Sequence, residues 1–425
     1  MKMVRLPLAV RGRCAWPLIG LVLSGFAGMA SAAPPLPAAE LLARAVDTAP
    51  ATRAARARLS QARAEARLSA LGPYDWTVSG AGVRREIEGE GRFNEWDVAL
   101  ERPVRLPGKA AIDRELGRLM VRRAAAELQS VERDARLQIL DAWFSCVNAA
   151  ERAVLLEQDR VLMQSVADAV GLRRRRGDLA ELDEVLALAE LATLNAEVTA
   201  ARMVALDTAK MLATRLEVTS CAVENWDKPA IAAADSSVPD LESAEQLGLD
   251  PLVQAGAAAA ESASLAAERA RRDRLPDPTL GVSYGRERGG EERLGGLFVS
   301  VPLGRRRRTA EVAQAEAAAA VAVAEHDAVR SGVRRQRLTL MAEQRRAQEI
   351  WRLLDMAALQ QRRAAAISAR AFELGEISLA ESLVIRRAAL QSSLAEREAA
   401  LTAWHAAAVR AAHVAGPLDH LPDSN

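Results

Sequence analysis

Two short stretches with strand-like alternation, about 200 residues apart, restrict most strongly how this chain can fold. The first runs from Pro73 to Lys109 and the second from Pro276 to Arg308, and each contains two alternating runs around a glycine-bearing loop. Strands with one face in lipid typically carry aromatic residues near their ends, at the level of the headgroups, with small and apolar residues between them. Both stretches carry such aromatics, at Tyr74, Trp76, Phe93, Trp96, Tyr284 and Phe298. The sequence therefore predicts four membrane-spanning strands, and two water-soluble hairpins packed on helices are the alternative.

Almost all of the remaining chain is predicted to be helical. An Ala-, Arg- and Glu-rich segment precedes each hairpin, and a helix of about sixty residues follows it and ends near Gly177 or Gly375, where a second helix returns. A seven-residue apolar repeat in the returning helices predicts coiled-coil packing. Because this arrangement occurs twice, the sequence indicates an internal duplication. The predicted fold class is mainly α with a small β part: long antiparallel coiled-coil helices plus four transmembrane strands per protomer.

The predicted organisation has five parts. Basic residues precede an apolar run that ends in the cleavage pattern Ala30-Ser31-Ala32, which is typical of a secretory signal peptide. The parts are the signal peptide, 1–32; a first repeat, 33–218, with its hairpin at 74–104; a connector, 219–248; a second repeat, 249–416, with its hairpin at 278–303; and a tail, 417–425.

The three cysteines bear on lipidation and on disulfide formation. Cys14 precedes the apolar run of the leader, so it is not placed to become the lipidated first residue of a lipoprotein. In an oxidising compartment Cys146 and Cys221 could pair. A helical cysteine is more commonly a small buried apolar residue, so the sequence favours two unpaired cysteines.

Composition and motifs exclude several function classes. The 57 Lys and Arg residues nearly balance the 56 Asp and Glu residues, which is typical of long exposed helices rather than of a nucleic-acid-binding protein. The motifs of phosphate-binding loops, zinc proteases, thiol oxidoreductases and serine hydrolases are absent from the sequence, and the histidines lack the spacing of a metal site. The sequence therefore predicts no enzyme activity, no cofactor and no metal site.

Four strands are too few to close a transmembrane barrel, because the smallest such barrels have about eight. An open sheet edge in hydrocarbon leaves backbone groups unpaired at a cost of several kcal/mol each. We therefore expect other copies of the chain to complete the barrel.

These features resemble the outer membrane efflux protein (TolC) family, and most of all the outer membrane components of cobalt-zinc-cadmium type cation efflux systems. The resemblance rests on the two repeats, on Pro103 and Pro107-Gly108-Lys109 after the second strand, and on a carboxylate six residues beyond each turn glycine. It implies a homotrimer in the cell outer membrane, a trimeric α/β barrel with twelve strands and a periplasmic helical tunnel of roughly 100 Å. It also implies two partners, a periplasmic adaptor (membrane fusion protein) and an inner-membrane pump, expected to be proton-driven. The chain would then be a passive exit duct for metal cations or small molecules.

The resemblance also implies roles for individual residues. The turns at the helix tips would dock with the adaptor through Gly177, Leu179, Gly375, Ile377 and Ser378. We expect Leu179 and Ile377 to be exposed, since an apolar side chain at the apex of a hairpin has no core of its own. Asp183 and Glu381 would line the tunnel entrance as acidic rings that favour cations. The alternatives are helix caps without a partner for the glycines and exposed charges on a helix flank for the two carboxylates.

Other interpretations stay open at this point. Lys109 and the arginines at 305–308 fall where strands pass into helices, and they could meet lipid phosphates or simply begin a solvated helix. A periplasmic coiled-coil scaffold without a pore would share the leader and the long helices, but it gives no reason for two aromatic hairpins. A type I secretion channel is a further alternative within the same family.

Overall fold

The computed structural model describes residues 36–72, 74–216, 218, 221 and 244–414. The predicted signal peptide, most of the predicted connector and the predicted tail lie outside the described residues.

In its described residues, the first half of the chain forms four helices and two strands. Two short helices lead to a hairpin, and two long helices follow it. They are α1 Ala39–Thr48, α2 Pro50–Leu71, β1 Thr77–Ile87, β2 Gly91–Pro103, α3 Lys109–Arg175 and α4 Glu181–Ala213.

The second half has the same order of elements. The described elements are α5 Ala244–Gly248, α6 Pro251–Arg272, β3 Thr279–Glu287, a 3₁₀ turn Arg288–Gly290, β4 Glu292–Ser300, α7 Arg305–Leu374 and α8 Leu379–Val414. The structure confirms the predicted class of a mainly helical chain with four strands.

The two hairpins join into one four-stranded sheet in the order β1-β2-β3-β4, and every neighbouring pair is antiparallel. Between the hairpins, β2 pairs with β3 from Trp96 opposite Arg286 to Pro103 opposite Thr279. β1 and β4 are therefore the two edge strands. Among the described residues neither edge has a further strand beside it.

The long helices set the length of the molecule. With 67 and 70 residues, α3 and α7 each extend about 100 Å at 1.5 Å per residue. Each packs along its returning helix, α3 with α4 and α7 with α8, and α3 also contacts α2, α6 and α8. These contacts make α3 the central helix of the array.

Buried apolar side chains form two main clusters along this array. One lies around Trp143, Leu401 and Trp404, where α3 meets α8, and it includes Leu212 near the end of α4 and Leu216 just after it. The other lies near the ends of α3 and α8 that are remote from the sheet and includes Met163, Leu194 and Leu379. The helix tips are therefore supported by a core of their own.

Asp250 connects helices from both halves of the chain. Its side chain caps α6 by accepting a hydrogen bond from the Leu252 N–H at 2.9 Å, and it pairs with Arg133 of α3 at 2.9 Å and Arg337 of α7 at 3.3 Å. All three charged groups are buried. Because a buried ion pair of this kind is costly to break, the cluster fixes how α3, α6 and α7 align.

Cys146 and Cys221 form a disulfide bond, with their Cα atoms 6.0 Å apart. The sequence-based preference for unpaired cysteines is therefore wrong, although both residues are buried as expected. Helical periodicity places Cys146 on the buried side of α3, but it carries no information on where the segment after α4 passes. The bond joins α3 to that segment across 75 residues of chain.

Candidate functional site

The two turns at the helix tips have the same backbone geometry. Gly177 and Gly375 both adopt left-handed conformations, with φ of +83° and +77°. In each turn the N–H of the residue after the glycine donates to a carbonyl five residues earlier, Asp178 to Arg173 at 3.0 Å and Glu376 to Ala371 at 2.9 Å. This is the Schellman pattern that ends a helix, and it favours glycine because a Cβ is strained at positive φ.

The helix that follows each turn begins with a carboxylate cap. In the second turn, Glu381 Oε2 accepts hydrogen bonds from the Ser378 N–H and hydroxyl at 2.9 Å each, and the Glu381 N–H donates to Ser378 Oγ at 3.2 Å. In the first turn the Ala180 N–H donates to Asp183 Oδ2 at 3.2 Å. Alanine has no hydroxyl, so only half of the capping box is present there.

These caps place Asp183 and Glu381 in the first turn of each returning helix, beside the tip. The two hydrogen bonds from Ser378 lower the pKa of Glu381, so this exposed carboxylate is charged at neutral pH. Asp183 occupies the equivalent position in the first turn. Each carboxylate therefore lies six residues after its glycine because the turn and the helix cap together have that length.

The expectation that Leu179 and Ile377 are exposed is wrong, because both side chains are half-buried. Leu179 and Phe372 pack against the second core cluster. The two turns therefore share a small core, which the sequence of either turn alone does not indicate.

Arg173 links the two tips. Its guanidinium lies over the ring of Phe372, 5.5 Å from the ring centroid. The first turn lacks an aromatic residue of its own, and the second turn supplies one to its arginine. A cation over an aromatic face is attracted by the ring quadrupole, so this contact holds the turns together.

Ion pairs further from the tip fasten α8 to the first helical hairpin. Arg386 donates to the backbone carbonyl of Asp159 at 2.7 Å and to its carboxylate at 2.9 Å. Arg387 pairs with Glu190 at 3.5 Å and with Glu197. Sequence reasoning missed these contacts, and the adjacent arginines on a returning helix were the only available signal.

One face of the sheet is apolar and exposed. Directly opposite residues in an antiparallel pair lie on the same face, so the strand register defines this surface. Trp96 and Tyr284 lie close together on it, with ring centroids 5.9 Å apart, and Leu297 is 86% exposed. The apolar residues of this face are Val78, Trp96, Val98, Leu100, Leu280, Val282, Tyr284, Leu297 and Val299. Trp76, directly before β1, lies 5.4 Å from the Arg102 guanidinium of the same surface.

The opposite face of the sheet is mostly small and polar. Phe93 and Phe298 point to this face, and the Phe298 ring covers Gly281, where an added Cβ would lie 2.2 Å from it. Arg85 crosses three strands here, pairing with Glu95 at 3.2 Å and Glu287 at 3.4 Å. The six aromatic residues predicted as one group therefore divide between two surfaces and the loop before β1.

Lys109, at the start of α3, is 2% exposed. Its ammonium group donates to the Leu275 carbonyl at 2.7 Å and to Asp277 Oδ1 at 2.9 Å, and it pairs with Asp273 at 2.8 Å. A lysine enclosed by these acceptors is not available to lipid phosphates, and it does not begin a solvated helix. Both interpretations offered for Lys109 from the sequence are therefore wrong.

Tyr74 belongs to the same junction rather than to a strand. Its hydroxyl donates to Asp277 Oδ2 at 2.7 Å. Burial, followed by this hydrogen bond, raises the pKa of Tyr74 to about 12. Burial alone would raise the pKa of Asp277, but hydrogen bonds from the Leu106 N–H, Lys109 and Tyr74 outweigh it, so the pKa of Asp277 is lowered.

Neither a metal centre nor a spanning helix is found in the part of the chain that the structure describes. Within the described ranges, no three His, Cys, Asp or Glu residues are grouped so that they could hold a metal ion. No helix in those ranges combines the length and the apolar composition needed to cross a membrane.

Solved structures share this fold. The outer-membrane channel OprN matches with a TM-score of 0.72 at 19% identity over 89% of this chain and 90% of that chain. The outer membrane protein VceC from Vibrio cholerae matches with 0.70 at 18% identity, over 89% and 96%. CusC, whose structures concern folding and transmembrane channel formation, matches with 0.73 at 14% identity, over 89% and 92%. No family model and no curated protein matches the sequence.

Proposed function

We propose that this chain, which has the fold of the TolC-family outer membrane efflux channels, is the outer membrane channel subunit of a tripartite efflux system. The observation that carries the proposal is the sheet, with one exposed apolar face, a small and polar opposite face, and two open edges. Such a sheet is suited to hydrocarbon on one side and to a water-filled lumen on the other.

The active form is a homotrimer. A long, exposed apolar edge strand in water is an aggregation site, and in lipid its unpaired backbone groups are costly. Three copies supply twelve strands, and pairing β4 of each copy with β1 of the next removes every open edge. The apolar face then meets outer membrane lipid, with Trp76, Trp96 and Tyr284 as interfacial aromatics, while Phe93 and Phe298 face the lumen.

The helices form a tunnel in the periplasm. They leave the sheet at Lys109 and Arg305 and extend about 100 Å, which is about two to three times the thickness of a bilayer. The Cys146–Cys221 bond supports this location, because disulfides form and persist in the periplasm and not in the cytosol.

The helix tips are the docking site for a periplasmic adaptor, which connects the duct to an inner-membrane pump driven by protons. Gly177, Leu179, Gly375, Ile377 and Ser378 form the contact surface. Leu179 and Ile377 are only half-buried, so part of each side chain can pack against a partner. The cap hydrogen bonds hold the turns in one conformation and so reduce the entropy lost on binding.

Asp183 and Glu381 form two acidic rings at the tunnel entrance in the trimer. Carboxylate rings at a narrow opening favour cations and repel anions. We propose metal cations or small molecules as the cargo, selected by the pump and released passively through this duct. Comparing the metal and drug tolerance of a deletion strain with that of its parent tests this cargo: heightened sensitivity to divalent metals favours cations, and unchanged tolerance to both contradicts the assignment.

Cell fractionation tests the channel itself. We expect the mature chain in the outer membrane fraction, and we expect an SDS-resistant trimer on gels of unheated samples. Release of a monomer by osmotic shock would contradict the proposal and favour a periplasmic scaffold without a pore. Purified trimer in planar bilayers should give discrete conductance steps, which a scaffold does not produce.

A further inference from the structure

The ion-pair cluster around Lys109 is a contact between the two repeats of one chain. Lys109 is the first residue of α3 and directly follows Gly108. Its main partner Asp277 lies two residues before Thr279, the first residue of β3. Both side chains are nearly inaccessible, at 2% and 5% exposure. This buried pair holds the start of α3, where the first repeat leaves the sheet, next to the start of β3, where the second repeat enters it.

Each residue of this pair has an equivalent in the other repeat, Arg305 for Lys109 and Asp75 for Asp277. Arg305 is the first residue of α7 and directly follows Gly304, as Lys109 follows Gly108. Asp75 lies two residues before Thr77, the first residue of β1, as Asp277 lies before Thr279. In one chain these two residues adjoin the strands at opposite edges of the sheet, which are three strand spacings, about 14 Å, apart.

Asp75 and Arg305 do not form the equivalent ion pair within the described residues of one chain. Asp75 and Arg305 are exposed, and within the described ranges no ion pair is formed by either. Arg307 and Arg308 differ from Arg305, since Arg307 pairs with Glu311 at 2.8 Å and Arg308 donates to the Pro302 carbonyl at 2.8 Å. The two unmatched groups have opposite charge and sit at the two edges that the trimer must close.

We propose that Arg305 of each chain binds Asp75 of the next copy, so that three such pairs lock the ring of strands at its periplasmic end. This inference rests on the proposed trimer. When β4 meets β1 of the neighbouring copy, the end of one repeat lies beside the start of another, as β2 lies beside β3 within the chain. Arginine extends further than lysine and can hold a carboxylate through two parallel hydrogen bonds.

Charge reversal tests the pair. We expect Asp75→Arg alone and Arg305→Asp alone each to lower the temperature at which the SDS-resistant oligomer dissociates, by about 5 °C or more. The double variant Asp75→Arg/Arg305→Asp restores the opposite charges and should recover most of the loss. The matched control is Arg307→Asp/Glu311→Arg, which exchanges an ion pair within one chain and should leave the dissociation temperature unchanged.

A cysteine pair gives an independent measurement. The variant Asp75→Cys/Arg305→Cys, treated with a bis-maleimide shorter than 14 Å, should give covalent dimers and trimers on heated gels. Only crosslinking between chains gives dimers and trimers on a heated gel, and the Cys146 and Cys221 thiols are already paired.

The proposed pair is wrong if both single-reversal variants keep the wild-type dissociation temperature, or if the cysteine variant gives no crosslinked species. Either result leaves the channel assignment intact. Failure of the wild-type chain to form any oligomer in the outer membrane instead overturns the proposed function, and the pair with it.

Discussion

Asp277 organises the junction between the sheet and the helices through three donors, the Leu106 N–H, the Lys109 ammonium and the Tyr74 hydroxyl. Their combined effect lowers the pKa of Asp277. A carboxylate with a lowered pKa contributes stability above its unfolded pKa of about 3.9, and that contribution is lost as the pH falls through the folded value. The junction should therefore weaken in acid only below about pH 4.

Tyr74 provides a direct optical measurement of the same junction. The chain has two tyrosines, so Tyr284→Phe leaves Tyr74 as the only one. We expect its phenolate absorbance to appear with a midpoint of about pH 12 in the folded protein, because burial and the Asp277 carboxylate disfavour ionisation. The raised pKa stabilises the fold below about pH 10, and this contribution disappears as the pH rises from about 10 to 12.

The denatured Tyr284→Phe variant is the control, with an expected midpoint of about pH 10. An equal midpoint in the folded protein would show that Tyr74 is solvated and not bonded to Asp277.

At the level of helices and turns, the two tips show how a duplicated geometry is built from different residues. Both turns use a left-handed glycine and a carboxylate cap, although only the second has the hydroxyl that completes the capping box. The first turn is stabilised instead by Leu179 in the shared core and by Arg173 over Phe372.

Replacing the second turn glycine tests the backbone requirement. Gly375→Ala should destabilise the tip by about 1–2 kcal/mol, because alanine is strained in the left-handed region. Gly332→Ala is the matched control, since Gly332 lies inside α7 with no atom closer than 4.0 Å to its added Cβ. There the same substitution should stabilise by about 0.5–1 kcal/mol. Thermal unfolding in detergent should shift in opposite directions, and shifts in the same direction would contradict this account.

The incomplete capping box at the start of α4 predicts that a hydroxyl at position 180 stabilises this helix. Ala180→Ser supplies the missing hydroxyl at an N-cap position whose backbone is already extended, with φ −74° and ψ 158°. We expect it to stabilise the start of α4 by about 1 kcal/mol, and Ser378→Ala to destabilise the start of α8 by a similar amount. Hydrogen exchange of the first-turn amides measures both effects locally. Unchanged exchange in Ala180→Ser would show that the Asp183 carboxylate alone satisfies that helix start.

The elements of this fold were predictable from sequence to the extent that they depend on local patterns. Alternation placed the first hairpin at 74–104, close to the observed strands, and glycine placed both helix reversals. Pairing of β2 with β3, the Cys146–Cys221 bond and the burial of Lys109 depend on contacts between residues far apart in the chain. Local periodicity has no access to such contacts, which is why these features were missed or wrongly assigned.

At the scale of the whole molecule, the tip carboxylates connect local structure with conduction. They have two roles in the proposed channel, helix capping and a charged entrance, and a useful variant must separate them. Asp183→Asn/Glu381→Gln removes both charges while keeping an oxygen that can accept the cap hydrogen bonds.

We expect this double variant to lose cation preference in planar bilayers while it still forms the trimer. Asp183→Ala/Glu381→Ala should lose the caps as well, and so also enlarge or deregulate the conductance. If the amide variant keeps the conductance and cation preference of the wild type, the carboxylates are caps only and the entrance-ring proposal is wrong.

The two tips of each protomer differ in charge: arginines at 173–176 precede the first turn, whereas Glu373 and Glu376 flank the second. In the proposed trimer, three basic and three acidic apices would therefore alternate around the threefold axis. Alternating charges partly cancel at a distance, and salt screens what remains beyond roughly one Debye length, about 8 Å at physiological ionic strength. An incoming protein would feel little attraction at a distance and a strong preference for one rotational setting on contact. In the proposed trimer, the rim of the duct would therefore select the angular alignment of the adaptor rather than accelerate its encounter.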